Sequence, residues 1–404
     1  MTGEPDPGHL GEGGAVGHQG ALRQRSRSGA WQAARRILCV RLDGLGDLVM
    51  TGPAIRALAE SGARRRITLL TSKAGARAAS LLPGIDEVIA YEAPWMKATP
   101  AGRGSEPDGR MISRLRAATF DAAVIFTVYS QSPLPAALLL HLADVPLRLA
   151  FCRENPYHLL SDWAEETEPQ ETIRHEVRRH LDLVAQVGAR PTDERLRVEP
   201  RRQAREKVVD LLGRHGLVGA RDWYAVHPGA SAASRRYPPE SFARAISSLW
   251  RRQRLIPVLT GSGEEAALTA AIVDAAGVPA VNLAGRLDLH ELTALLEQAP
   301  LLLSNNTGPA HLAAGVGTPV VDLYALTNPQ HTPWQVPARV LYRDVPCRFC
   351  YRSVCPQGHH ACLRGVPPDE VAEAVAELLA RTEDRSAAAP AGECGDRTAL
   401  AGVP

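Results

Sequence analysis

Ser304 to His311 (Ser-Asn-Asn-Thr-Gly-Pro-Ala-His) places small, polar and conformationally special residues between two apolar runs, a pattern suited to holding a phosphate. Leu301 to Leu303 reads as a buried strand, Thr307-Gly308-Pro309 breaks it, and Pro309 to Gly317 opens a helix. The first backbone N–H groups of such a helix lack intrahelical partners, and with the positive end of the dipole they attract an anion. Two more glycine-bearing turns follow apolar runs: Leu259 to Glu265, and Arg41 to Asp47 after Ile37 to Val40. One such turn is as well explained by a helix cap. Three strand-turn-helix junctions point to nucleotide-type chemistry on an α/β scaffold.

Asp47 follows Gly44-Leu45-Gly46 at a strand's carboxyl end, where α/β proteins bind ligands. It is a candidate general base, or equally a helix N-terminal acid that stabilises residues 48–58 through the dipole. Asp43 in the same turn is an alternative base. Arg235 and Arg236 can grip phosphate oxygens through planar guanidinium groups, or form a solvated basic pair. Glu264 and Glu265 are candidates for ribose or base contacts, and also ordinary helix-start acids. Cys347, Cys350, Cys355 and Cys362 fall within sixteen residues, with His359 and His360 among them. Thiolates at that spacing can hold zinc or an iron–sulfur cluster, form disulfides, or stay reduced and packed; persistent disulfides are the least natural choice in a cytoplasmic chain.

The elements that must position these groups follow from length and pattern. At 404 residues the chain is too long for one ordinary core, so two domains are expected. Apolar runs of strand length alternate with helical stretches from Ile37 to Phe126, and the alternation restarts at Trp223, as in parallel βαβ units. The expected division is a disordered leader over 1–33, a first domain over 34–200, a link over 201–221, a second domain over 222–383 that includes the cysteine segment 347–362, and a disordered tail over 384–404. A net charge of +2 and 5% aromatic residues argue against a nucleic-acid partner. The leader lacks a secretory apolar run and no stretch reaches membrane-span length, so a cytoplasmic protein is expected. No Gly-x-Gly-x-x-Gly is followed by an acid about 20 residues on, which disfavours a dinucleotide oxidoreductase.

Taken in order, Asp43-x-x-Gly46-Asp47, then His227-Pro-Gly-Ala-Ser231 with the basic pair before Tyr237-Pro238, then Gly-Ser-Gly-Glu-Glu, then Thr307-Gly308-x-x-His311 resemble glycosyltransferase family 9, the ADP-heptose:lipopolysaccharide heptosyltransferases. The resemblance runs from about Arg36 to about Leu379. It implies an α/β, GT-B-like fold with two doubly wound Rossmann-type domains facing across a cleft. It further implies an inverting transfer of sugar, heptose from ADP-heptose above all, to a lipopolysaccharide-core or other glycan or glycolipid acceptor at the inner membrane surface. Asp47 would be the catalytic base, on an acceptor-side turn that includes Asp43, Gly44 and Gly46. Ser231, Arg235, Arg236, Glu264, Asn306, Thr307, Gly308 and His311 would form the donor site, with basic residues in place of a divalent cation and no cofactor required for catalysis. A cysteine-rich stretch of this kind occurs in part of the family without implying a metal. Asn306 departs from the family pattern, which commonly has aspartate before Thr-Gly, and this favours the alternative of a non-catalytic sugar-nucleotide-binding protein on the same scaffold.

Overall fold

The computed structural model describes residues 29–388 apart from 63, 103 and 221, with side chains described to 381. Most of the expected leader and tail, 1–28 and 389–404, lies outside the described residues. The leader reading ends too late, because residues 29–33 form a helical turn. Trp31 there is 1% exposed, and its Nε1 donates to Asp162 Oδ2 at 3.1 Å. An indole this large anchors the turn by burial.

The chain divides into two compact units, Met1–Glu194 and Arg195–Pro404. In the first, six parallel strands take the order β3-β2-β1-β4-β5-β6: β1 is Arg36–Arg41, β2 Arg66–Thr71, β3 Glu87–Ala90, β4 Ala122–Ile125, β5 Leu147–Cys152 and β6 Asp162–Glu165. The connecting helices are α1 (Leu45–Glu60), α2 (Lys73–Ala79), α3 (Glu106–Ala117) and α4 (Leu134–Leu142), and α5 (Glu176–Ala185) follows β6. Strands β1, β2 and β4 are buried almost throughout, so they read as continuous apolar runs rather than alternating ones. Leu38, Val40, Leu70, Ala123 and Ile125 pack against Met111, Leu115, Ala137 and Leu140 of α3 and α4. Each large aliphatic side chain so buried contributes about 1.5–3 kcal/mol.

The second unit repeats the plan. Its helix α6 is Arg202–Arg214, and its strands are β7 (Trp223–His227), β8 (Ile256–Leu259), β9 (Val281–Asn282), β10 (Leu302–Asn305), β11 (Val320–Leu323) and β12 (Ala338–Leu341), in the order β12-β11-β10-β7-β8-β9. Counted from its own first strand this is the same winding as the first sheet, with the strand order reversing between β7 and β10 as it does between β1 and β4. In doubly wound sheets ligands bind at the carboxyl ends of the strands beside that reversal. Helices α7 (Pro239–Gln253), α8 (Ala266–Ala276), α9 (Leu289–Gln298) and α10 (Gly308–Val316) join the strands; α11 (Ala361–Arg364) and α12 (Pro368–Ala388) close the chain. Val371, Val375 and Leu378 of α12 pack with Phe242, Ile246 and Leu249 of α7. The stretch 201–221, read as a link, instead carries α6, whose Arg205 pairs with Glu297 of α9 at 2.6 Å.

Candidate functional site

In the first unit the turn after β1 assembles around a residue that the sequence does not single out. Arg41, the last residue of β1, is 0% exposed. Its Nε lies 3.1 Å from Asp43 Oδ2, its Nη2 3.4 Å from Asp47 Oδ1, and its Nη1 3.1 Å from Glu176 Oε1. Nη1 also lies 3.1 Å from His180 Nε2. Burial alone would lower the guanidinium's pKa, but Asp43, Glu176 and Asp47 together outweigh it and push it up. Burial raises Asp43 above its usual range, against the pull of Arg41 and of Gln131, whose Nε2 donates to Asp43 Oδ1 at 2.7 Å. Burial also holds His180 neutral, lowering it to about 4.

Asp47 takes up the helix-start position and also faces a cavity. It is the third residue of α1, and its Oδ2 accepts from the Gly44 N–H at 3.3 Å, so it does cap the helix. Its side chain keeps 28% exposure and lines a cavity of about 870 Å³, together with Asp43 and Gly44. Lys73, Arg77 and Trp95 also line this cavity, giving it basic groups and an aromatic wall. Gly46 lies within the first turn of α1.

In the second unit β7, β10 and β11 bring the residues expected to hold a donor to one end of the sheet. Helix α10 begins at Gly308 with Thr307 as extended N-cap and Pro309 in its first turn, as expected for an anion cradle. His311 lies one turn in and is buried. Asn305 ties the strands together: its Oδ1 accepts from the Tyr237 N–H at 3.0 Å and its Nδ2 donates to the Pro228 carbonyl at 2.7 Å. Asn306 donates through Nδ2 to Asp322 Oδ2 at 3.1 Å and to the His331 carbonyl at 2.7 Å.

The two arginines separate. Arg235 sits half-buried in a short 3-10 turn, and its charge acts on buried Asp322 and Tyr324. Arg236 is exposed, and its Nε donates to the Ala230 carbonyl at 2.7 Å. Ser231 is exposed on the bend after β7, while Ser234 is occupied elsewhere, its Oγ donating to the Arg352 carbonyl at 2.7 Å. Glu264 is exposed; its neighbour Glu265 accepts from the Ser262 N–H at 2.8 Å. The Glu265 carboxylate lies so close to Gly229 that a Cβ there would come within 1.9 Å of Oε1. His227 beside it is lowered to about 4 by burial, and its Nδ1 lies 3.0 Å from Thr260 Oγ1.

The cysteine segment braces this site. The Ser234 N–H donates to the Ser353 carbonyl at 3.0 Å and the Tyr351 N–H to the Thr327 carbonyl at 2.8 Å. Cys347, Cys350, Cys355 and Cys362 are free thiols, as are Cys39 and Cys152, so the disulfide option is not taken. Cys347 Sγ lies 3.9 Å from His359 Nε2. Backbone N–H groups of residues 357–360 outweigh the burial of Cys355 and lower its pKa. Burial raises Cys362, helped by the charges of the other three thiols. Among the described residues, however, no three or more His, Cys, Asp or Glu groups come together in an arrangement that could hold a metal ion.

Sequence reasoning missed Arg41, Glu176, His180 and Asp322. Asp322 does leave a local signal, a lone carboxylate inside the apolar run Val320–Tyr324. Glu176 and His180 leave none, because their partner is more than 130 residues away.

Two sheets of identical winding, each with polar groups gathered beside its order reversal, define a two-unit, GT-B-like α/β protein. Residues 109–361 match the family described as glycosyltransferase family 9 (heptosyltransferase), and the chain belongs to that family. The turn with Asp47 lies before the matched span. The chain is 29% identical over 200 residues to lipooligosaccharide heptosyltransferase 2 of Haemophilus influenzae, 46% of this chain and 55% of that relative. It thus spans about half the length of the first curated relatives it matches. Among solved structures, a family 9 glycosyltransferase from Veillonella parvula superposes with a TM-score of 0.69 at 20% identity, covering 86% of this chain and 97% of that one. The ADP-heptose lipopolysaccharide heptosyltransferase II of Escherichia coli gives 0.65 at 21%, covering 86% and 99%. These likenesses show the fold. No helix among the described residues is long and apolar enough to cross a membrane.

Proposed function

We propose that the protein is an inverting glycosyltransferase that moves a sugar, heptose from ADP-heptose, to a lipopolysaccharide-core or other glycan or glycolipid acceptor at the cytoplasmic face of the inner membrane. The observation that carries the reading is the anion cradle of the second unit: the open N-terminus of α10 behind Thr307, with Arg235 half-buried beside the same strand ends. Similarity to heptosyltransferases, one of them an ADP-heptose enzyme, supports the choice of donor.

In this reading the cavity of the first unit takes the acceptor, with Arg77 suited to anionic groups, Lys73 paired with Glu92 on the same wall, and Trp95 suited to a sugar face. Asp47 accepts the proton of the acceptor hydroxyl as its oxygen bonds to the anomeric carbon. The bond from that carbon to the diphosphate oxygen breaks, and ADP leaves with the electron pair. Arg235, Thr307 and the first N–H groups of α10 stabilise the charge that develops on it. Arg41 keeps the base oriented while Glu176 and His180 hold Arg41 from below.

The reading requires no metal. A structural zinc ion or iron–sulfur cluster on Cys347, Cys350, Cys355 and Cys362 would be a separable addition that draws the four thiols together. The test is a thermal-shift screen of ADP-, UDP- and GDP-sugars, since a ligand that binds only the native state raises the melting temperature. ADP-heptose should give the largest shift and, with a core oligosaccharide, release ADP. A protein stabilised by none of them, or by ADP-heptose without transfer to any acceptor, would overturn the enzyme reading.

A further inference from the structure

The second unit buries a carboxyl group inside its sheet. Asp322 lies in β11 with 0% exposure, and register places it beside Ser304 of β10, next to the strand end that leads into α10. Its Oδ2 accepts from the Asn306 amide at 3.1 Å, and its Oδ1 is buried with no hydrogen-bond partner. A buried carboxylate oxygen left unsatisfied is costly. Burial raises Asp322 to about 7, against the Asn306 hydrogen bond and the charge of Arg235. A carboxyl whose folded pKa exceeds its unfolded value loses its stabilising contribution as pH rises through the folded value, so at pH 8 Asp322 is a burden on stability. Residues kept at such a cost are expected at functional sites.

Two groups placed to meet a diphosphate act on this carboxylate, Asn306 by a hydrogen bond and Arg235 by its charge. Asn306 immediately precedes the Thr307 N-cap, and its amide is fixed between Asp322 and the His331 carbonyl. The loop to His331 is closed by Tyr324, whose OH accepts from the His331 N–H at 3.2 Å and donates to the Asn328 carbonyl at 2.7 Å. The charge of Arg235 acts on both Asp322 and Tyr324. We propose that Asp322 is the positioning carboxylate of the donor site: from β11 it fixes the Asn306 amide and draws the Arg235 guanidinium toward the N-terminus of α10. This rests on the nucleotide-sugar reading above. It also gives Asn306 a role, because its amide is held by a carboxylate supplied from the neighbouring strand.

The test measures ADP binding by calorimetry at pH 8 for wild type, Asp322→Asn, Arg235→Ala, the Asp322→Asn/Arg235→Ala double variant and the exchange variant Asn306→Asp/Asp322→Asn. Asp322→Asn should weaken ADP about tenfold, the scale of one lost charge-assisted contact, without lowering the melting temperature at pH 8. In the Arg235→Ala background the same substitution should change affinity by less than about threefold, since coupled residues are non-additive. The exchange variant should return to within about threefold of wild type. Asp322→Asn that binds ADP as tightly as wild type or tighter, as a carboxylate that merely repels the diphosphate predicts, overturns the proposal. So does an equal loss with and without Arg235. A wild type that binds no nucleoside diphosphate overturns the nucleotide-sugar reading itself.

Discussion

Replacing Arg41 with methionine keeps much of the side chain's length and removes its charge, and the structure sets the size of the effect. The guanidinium faces carboxylates at 3.1, 3.4 and 3.1 Å. At an effective dielectric of about 20, each such contact is worth roughly 5 kcal/mol before desolvation and repulsion among the acids are counted. Those opposing effects are large, and breaking a buried pair by removing one partner costs about 3–5 kcal/mol. For a unit the size of Met1–Glu194, that is a fall of roughly 6–20 °C in its melting temperature.

The loss should depend on pH. Asp43 is already raised chiefly by burial, with Arg41 the strongest opposing influence, so without Arg41 its folded pKa rises further. Its contribution is complete below the unfolded value near 4 and is lost as pH rises through the folded value. The gap between wild type and Arg41→Met should therefore be small at pH 4.5 and full at pH 8. Thermal unfolding of both proteins at the two pH values checks this. Equal melting temperatures at pH 8, or a gap that does not change with pH, would refute the view that Arg41 acts as the charge beneath Asp43 and Asp47.

Asp47→Asn preserves shape and the cap to Gly44 but removes the base, so turnover should fall roughly 10²–10⁴-fold with donor affinity little changed; steady-state kinetics and calorimetry together separate the two. Arg235→Ala should weaken ADP binding by about tenfold or more, whereas Arg236→Ala, exposed and held on a backbone carbonyl, should leave it within about threefold; equal effects would contradict the inward placement of Arg235. Chelation should leave turnover unchanged if diphosphate charge is met by Arg235 and α10 alone, and a rate restored only by added magnesium would show a metal in the reaction. Elemental analysis of purified protein should return about one zinc per chain, or iron with sulfide, only if the four thiols close around metal; metal-free protein with four titrating thiols leaves the transfer chemistry untouched.

The parts of this protein that were legible in the sequence are those whose causes are local. Strand Trp223–His227 opens where the alternation restarts in the sequence, because apolar runs and turn residues act over a few positions. The α10 start at Thr307-Gly308-Pro309 and the Gly44 to Asp47 turn were visible for the same reason. β5, β6 and β12 were not: β6 and β12 are short, half-exposed strands held by their neighbours, and the apolar run of β5 is broken by Arg148, which only the fold buries. Helix α6 was taken for a link because its polar run buries only Ala204, Val208, Leu211 and Leu212.

The sites divide the same way. Residue types at a turn declare that an anion or a proton can be handled there, and so Asp47 and the pair Arg235 and Arg236 could be proposed from residue types, with His311 added by the family resemblance. Which arginine turns inward, and what holds it, could not. Arg41 meets Glu176 and His180 across more than 130 residues, and Asn306 meets Asp322 only because β10 and β11 lie side by side in register. Charge in a protein interior is governed by what surrounds it in space, so its cost, its partner and its pKa were decided by the tertiary structure alone.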